Sequence, residues 1–228
     1  MCGRYAIRTS TPELAALLGD EPTLYGNQID SQSLVSYNVA PTQTVVAVRL
    51  TDEGREFSSM RWGLIPSWAK DKKIGYRLIN ARGETVKGRP AFRTAFRHRR
   101  CLIPASGFYE WKAIGKTRQP YYFSMRSGEP FFMAGLWETW RGDDEIRLQS
   151  CTIVTTSANS VVAAVHKRMP VILHPDVRNE WLAPDTDPAR LEALLTPFAP
   201  DTMQCFPVSQ HVNKPQNNDP ECIAPVSL

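Results

Sequence analysis

Apolar residues in this chain come in short runs rather than long stripes. Residues 44–50 (Thr-Val-Val-Ala-Val-Arg-Leu) are rich in β-branched side chains and predict a strand. Arg55 to Trp62 is its expected hairpin partner across Asp52-Glu53-Gly54. Further short strands are expected at 100–104, 107–112, 120–126, 130–137, 150–156 and 169–173, punctuated by Gly and Pro. Helical spacing is confined to brief segments. Residues 11–19 predict a helix with Thr11 as N-cap, Pro12 in the first turn and Gly19 as the stop. Phe92 and Phe96, four apart, give 90–98 one apolar face. Two more short helices are expected at 175–182 and 188–195, the second burying Leu191, Leu194 and Leu195. There is no alternating β-α rhythm, linker, internal repeat or low-complexity tract. The expectation is α+β: one domain over 1–228, with a mainly antiparallel, barrel-like sheet and short flanking helices.

Hydrophobic residues make up 42% of the 228, enough for a sizeable core. No run approaches the roughly 18 to 20 apolar residues that span a bilayer, so no membrane partner is expected. The opening Met-Cys-Gly-Arg-Tyr lacks the basic start and apolar run of a secretory signal, which points to the cytoplasm. Five cysteines at wide spacings, with no C-x-x-C pair, argue against a disulfide framework and structural zinc. No metal and no cofactor are expected. A net charge of +4 is too mild to identify a nucleic-acid partner by itself. Its distribution says more. Arg93, Arg97, His98, Arg99 and Arg100 lie within eight residues, shortly after Arg77, Arg82, Lys87 and Arg89. Such runs are most often solvated helix faces.

Several residues carry candidate chemistry. Removal of Met1 would leave Cys2 with a free α-amine beside its thiol, a 1,2-aminothiol. The unperturbed groups titrate at about 8.5 and about 8, so both are partly nucleophilic near neutrality. With an aldehyde, the amine forms an imine and the thiol closes a five-membered thiazolidine. By itself a second-position Cys reads more readily as incidental, since a reactive thiol needs a basic setting. Arg4 is a candidate for positive potential or a phosphate contact. Asn38, in Tyr37-Asn38-Val39-Ala40-Pro41, reads as a turn residue or as a donor to a substrate oxygen. Arg61-Trp62-Gly63-Leu64-Ile65-Pro66-Ser67-Trp68 and Asn80-Ala81-Arg82 interleave aromatic, Arg and Asn residues in a way that suits single-stranded nucleic acid. Trp62 suits the core, and Trp68, after a Pro-Ser turn, suits base stacking or is a simple surface aromatic. Asn80 and Arg82 would share one face of an extended segment. Glu110 sits in an apolar, aromatic run; buried there it would be a high-pKa general acid/base, and outward-facing it would be a plain strand residue. His166, before Lys167-Arg168-Met169-Pro170, is the best placed histidine for acid/base work, with a structural role as the alternative.

Six blocks in order resemble the SOS response-associated peptidase (SRAP) family. They are Met1-Cys2-Gly3-Arg4-Tyr5, Tyr37-Asn38-Val39-Ala40-Pro41, Trp62-Gly63-Leu64-Ile65-Pro66, Asn80-Ala81-Arg82-Gly83-Glu84-Thr85, Gly107-Phe108-Tyr109-Glu110-Trp111 and Val165-His166-Lys167-Arg168-Met169-Pro170. The resemblance implies a barrel-like α+β fold, single-stranded DNA as partner, and covalent capture of abasic sites by the N-terminal cysteine as a thiazolidine, with Met1 removed first. It also implies Cys2, Asn38, Glu110 and His166 as catalytic residues, and Arg4, Trp68, Asn80 and Arg82 as DNA contacts. Protease and lyase activity and a monomeric state go with that expectation. The chain departs from relatives that carry two adjacent tryptophans: it has Ser67-Trp68-Ala69, followed by a basic stretch at 70–77. Two other classes fit Cys2 less well. One is an N-terminal nucleophile thiol peptidase or amidohydrolase; the other is a non-covalent single-strand binding module.

Overall fold

The computed structural model describes residues 2–19, 23–25, 34–142 and 146–227. In chain order the strands are β1 (Tyr5–Thr9), β2 (Thr23–Tyr25), β3 (Leu34–Val39), β4 (Thr44–Thr51), β5 (Gly54–Trp62), β6 (Asn80–Arg82), β7 (Arg100–Ala105), β8 (Gly107–Ile114), β9 (Thr117–Met125), β10 (Phe131–Arg141), β11 (Arg147–Ser157), β12 (Arg168–Pro170), β13 (Ile172–Leu173) and β14 (Met203–Pro207). The helices are short: α1 (Thr11–Ala16), α2 (Arg93–His98), α3 (Ser160–Ala163), α4 (Arg178–Leu182) and α5 (Pro188–Ala193).

Five strands close on themselves in the order β11-β10-β7-β4-β5, because β5 returns to β11 through the parallel pairs Ser150–Arg61 and Cys151–Trp62. The β4–β5 hairpin is antiparallel over its whole length, from Thr44–Arg61 to Thr51–Gly54. Closure removes the free edges that an open sheet would expose. A second, antiparallel sheet runs β14-β9-β8-β1-β3. Both share one apolar core. Trp62, Phe57, Leu102, Phe132 and Ile153 are fully buried, and the Tyr5 ring of β1 packs 5.4 Å from that of Trp62.

That packing fixes where the chain begins. β1 pairs with β8 at Tyr5–Phe108 and Ala6–Gly107, and the Tyr109 N–H donates to the Arg4 carbonyl at 3.0 Å. The start of β1 therefore lies against Glu110. Gly107 permits this crossing. A Cβ there would fall 2.3 Å from the Tyr122 ring and 2.5 Å from the Phe123 carbonyl oxygen. In the Trp62-Gly63 segment, Gly63 has φ +123 and a Cβ on it would lie 2.6 Å from the Gly75 oxygen, so two backbone stretches touch where no side chain fits.

The α+β, barrel-like expectation holds. The differences are local and have physical reasons. Helix α1 is capped by Ser10 rather than Thr11: the Ser10 hydroxyl accepts from the Glu13 N–H, and the Glu13 carboxylate accepts from the Ser10 N–H at 2.8 Å, a reciprocal box. Thr11 is instead buried at the first helical position. The expected helix at 175–182 divides into a 3₁₀ turn, Pro175–Val177, and α4. Tyr37 and Asn38 lie within strand β3 and not in a turn. The basic run around α2 is only partly solvated. Arg100 is buried, donating to the Trp181 carbonyl at 2.6 Å and the Phe96 carbonyl at 3.0 Å, and Arg99 pairs with Glu138 at 2.6 Å.

Candidate functional site

Cys2, Glu110, His166 and Asn80 converge although 164 positions separate the first of them from the last. β1 places Cys2 beside β8, the parallel β6–β11 pairing (Ile153–Asn80) brings in Asn80, and the turn after α3 delivers His166 to the same place. The Cys2 side chain is fully buried, and its thiol points at the Arg4 carbonyl, 3.9 Å away. Burial, and then the Glu110 carboxylate, push the thiol far above its ordinary pKa, so it is neutral in this form of the chain.

Glu110 is buried, which settles the choice left open by strand alternation. Its Oε1 lies 3.6 Å from His166 Nδ1. Burial raises its pKa, against the opposing charges of the amino terminus and of His166. The His166 ring is half-buried, and its Nδ1 also meets the backbone N–H and carbonyl of Arg168, each at 3.1 Å. A carboxyl whose pKa is raised by burial, set beside an imidazole, is placed for proton transfer.

The two asparagines have different surroundings. Asn80 Nδ2 donates to the Cys2 carbonyl at 2.8 Å, and its Oδ1 is buried with no hydrogen-bond partner among the described residues. Asn38 is buried with its amide committed: Nδ2 faces the carbonyls of Val212, Lys214 and Asn217, and Oδ1 accepts from Arg4 Nη1 at 2.6 Å. The structure thus joins Asn80 directly to Cys2, while the described contacts of Asn38 run to Arg4 and the C-terminal segment. Sequence reasoning had assigned Asn80 to DNA and Asn38 to the chemistry. Both stand in blocks with turn or extended character, and only the partners of each amide tell them apart.

An open cleft of about 770 Å³ borders this cluster. His166 and Trp111 line it, with Arg82, Arg118, Lys167 and Arg168 supplying positive charge. Glu84 is the carboxylate in its wall, and Arg168 grips both its oxygens, which holds Glu84 below the usual carboxylate range. Arg82 is exposed on the same face of β6 as Asn80, as the extended spacing requires. Trp68 is 60% exposed. Trp111, Arg118, Lys167 and Arg168 were not singled out individually. Their common signal is alternation on strands or turns that the fold alone brings to one cleft.

Among the described residues one group brings metal-type ligand atoms together: His211, Asp219 and Cys222, within 4.8 Å of one another. Its hydrogen bonds are already satisfied. Asn217 Nδ2 lies 3.1 Å from His211 Nδ1 and donates to the His211 carbonyl at 2.7 Å, and His211 Nε2 lies 2.9 Å from Asp219 Oδ2, so ring, amide and carboxylate engage one another directly. Among the described residues no helix is long and apolar enough to cross a membrane.

The fold is a closed small barrel in which a buried Cys2 thiol, a Glu–His pair and a basic open cleft lie together. Residues 1–215 match the family model described as SOS response associated peptidase (SRAP), and the chain belongs to that family. It is 41% identical over 225 residues to the abasic site processing protein YoqW of Bacillus subtilis, covering 98% of this chain and 99% of that one. It is 31% identical to the abasic site processing protein YedK of Escherichia coli, covering 99% and 100%. A solved structure of a protein from Bacteroides thetaiotaomicron superposes with a TM-score of 0.86 at 25% identity, covering 99% of this chain and all of the other.

Proposed function

We propose that this chain captures abasic sites in single-stranded DNA through the Cys2 aminothiol, forming a thiazolidine that shields the lesion. The observation that carries the reading is the convergence of Cys2, Asn80, Glu110 and His166 at the margin of a basic cleft. The names of the relatives, abasic site processing proteins, point to the same substrate.

The chemistry follows from these groups once Met1 has left. An abasic sugar in its open form presents an aldehyde at C1′. The Cys2 α-amine adds to it, and loss of one water gives an imine. The Cys2 sulfur then adds to the imine carbon while its proton passes to the nitrogen, closing the ring with no oxidant or reductant. Glu110, its pKa raised by burial, supplies the proton that water departure needs and takes up the one the ammonium sheds. His166 protonates the sugar ring oxygen as the ring opens. Asn80 holds the Cys2 carbonyl, and its unpartnered Oδ1 is an acceptor for the α-ammonium or a sugar hydroxyl. Arg4, Arg82 and the cleft cations seat phosphates, and exposed Trp68 stacks on a base. Asn38 supports the reactive end from behind.

Capture needs a free α-amine on Cys2, so removal of Met1 precedes it and the two events are separable. Denaturing electrophoresis with an abasic oligonucleotide tests the scheme. The Met1-free chain forms a heat-stable shifted band, and Cys2→Ser abolishes the band while retaining reversible binding. A heat-stable adduct from Cys2→Ser would refute it. Turnover of peptide amides without dependence on abasic DNA would favour an N-terminal nucleophile hydrolase instead.

A further inference from the structure

The C-terminal segment crosses behind the reactive end. The Val212, Lys214 and Asn217 carbonyls accept from Asn38 Nδ2 at 3.1, 3.0 and 2.6 Å. Asn38 Oδ1 accepts from Arg4 Nη1 at 2.6 Å, and the same Nη1 donates to the Val212 carbonyl at 2.8 Å. Each acceptor in this clasp is neutral. Among the described residues no carboxylate forms an ion pair with Arg4.

Arg4 is nevertheless half-buried, and its Nε is buried with no hydrogen-bond partner. Its guanidinium lies 6.0 Å over the ring of Trp111, which lines the basic cleft. Withdrawing a cation from water without a counter-charge is costly unless an anion arrives to pair with it. Two acceptors on one nitrogen fix the guanidinium plane, and its other donors remain for a ligand. A carboxylate at position 38 would accept the same bond but cancel the charge. The amide orients the cation and leaves its charge intact.

We propose that Asn38 is a positioning residue: with the Val212 carbonyl it forms a neutral clasp that aims Arg4 at a phosphate of the bound strand, making segment 212–217 part of the nucleic-acid seat. This rests on the single-stranded DNA reading above. The clasp reassigns Asn38 from the bond-making steps to the support of a phosphate contact.

The test is reversible binding of an intact single-stranded oligonucleotide by the full chain in a Cys2→Ser background, followed by fluorescence anisotropy over a salt series. Loss of one phosphate contact flattens the plot of log K against log salt by about 0.7. Arg4→Gln is expected to show that flattening. Asn38→Asp is expected to show it too, although Arg4 is still present, and the double variant should add nothing further. Asn38→Asp also loses its donors to the C-terminal segment, so its folding is checked by thermal melting. Asn38→Ser keeps a neutral side chain that is too short to reach; it is expected to retain the parent slope with Kd raised about tenfold at every salt, the size of one lost charge-assisted hydrogen bond. A folded Asn38→Asp chain with the parent slope overturns the clasp alone, as does an Asn38→Ser chain that binds as tightly as the parent. Absence of salt-dependent binding by the parent itself overturns the DNA reading, and the clasp with it.

Discussion

At the scale of single residues, Cys2 depends on its company. Its thiol is buried and held neutral by that burial and by Glu110. On the proposed scheme its use requires the new amino terminus beside Glu110 and His166. Glu110 is the group whose titration should be visible. Burial raises its pKa, so its proton-donating form persists to higher pH than for an ordinary carboxyl and is lost as pH rises through the raised value. Capture of the aldehyde by the Met1-free chain is therefore expected to slow on the alkaline side of that titration. Glu110→Gln, which can neither give nor take the proton, should lower the rate by about 10²- to 10⁴-fold and remove that limb from the pH–rate profile. An unchanged profile in quenched-flow crosslinking would show that the carboxyl does not move the proton. Cys2, Glu110 and His166 were legible as candidates because a thiol behind Met1, an acid in an aromatic run and a histidine before a basic turn are locally unusual. The division between Asn38 and Asn80 was not legible. An amide donates and accepts with equal ease, and its role is set by partners more than 70 residues away along the chain: Cys2 for Asn80, and residues 212–217 for Asn38.

Among the elements, the strands with β-branched or apolar runs were legible: the β4–β5 hairpin and strands β7 through β11 fall where the pattern puts them. Strands β1, β3, β6 and β14 were not, although three of the four position the site. Each is short and carries polar or aromatic residues, because its pairing and not its composition holds it in the sheet. Asn80–Arg82 is a strand only because β11 has a free parallel edge for three residues. The β1–β8 crossing is the element that carries Cys2 to Glu110, and Gly107 is its tightest point. Gly107→Ala would push a methyl group into the Tyr122 ring and the Phe123 carbonyl. Relief requires β8 to move from β9, so the substitution should destabilise by about 1–3 kcal/mol or more. Calorimetry would register this as a lower Tm, and slower crosslinking by the remaining folded protein would show that the crossing also sets the reactive geometry. A Tm equal to the parent's would mean that the crossing relaxes at no cost.

For the molecule as a whole, a closed barrel fixes the positions from which the site residues project, and a second sheet lays the chain's beginning across it. The overall +4 charge says little about the partner. The informative charge is local, where Arg82, Arg118, Lys167 and Arg168 share one cleft with a single carboxylate, Glu84, that Arg168 already engages. The conspicuous basic run at 93–100 contributes less than its sequence suggests, because Arg99 and Arg100 serve packing. A barrel-like sheet was expected, but the contact that closes it left no local signal, since it is a parallel pairing between strands some 90 residues apart. The proposed reactive unit is the Cys2 thiol together with its own α-amine. Intact mass spectrometry of the purified chain, before and after incubation with an abasic single-stranded oligonucleotide, tests for it. Only the species lacking Met1 is expected to gain mass, by the oligonucleotide less one water, without reductant and stably to heat. An adduct on the chain that retains Met1, or on a Met1-free Cys2→Ser chain, would contradict it.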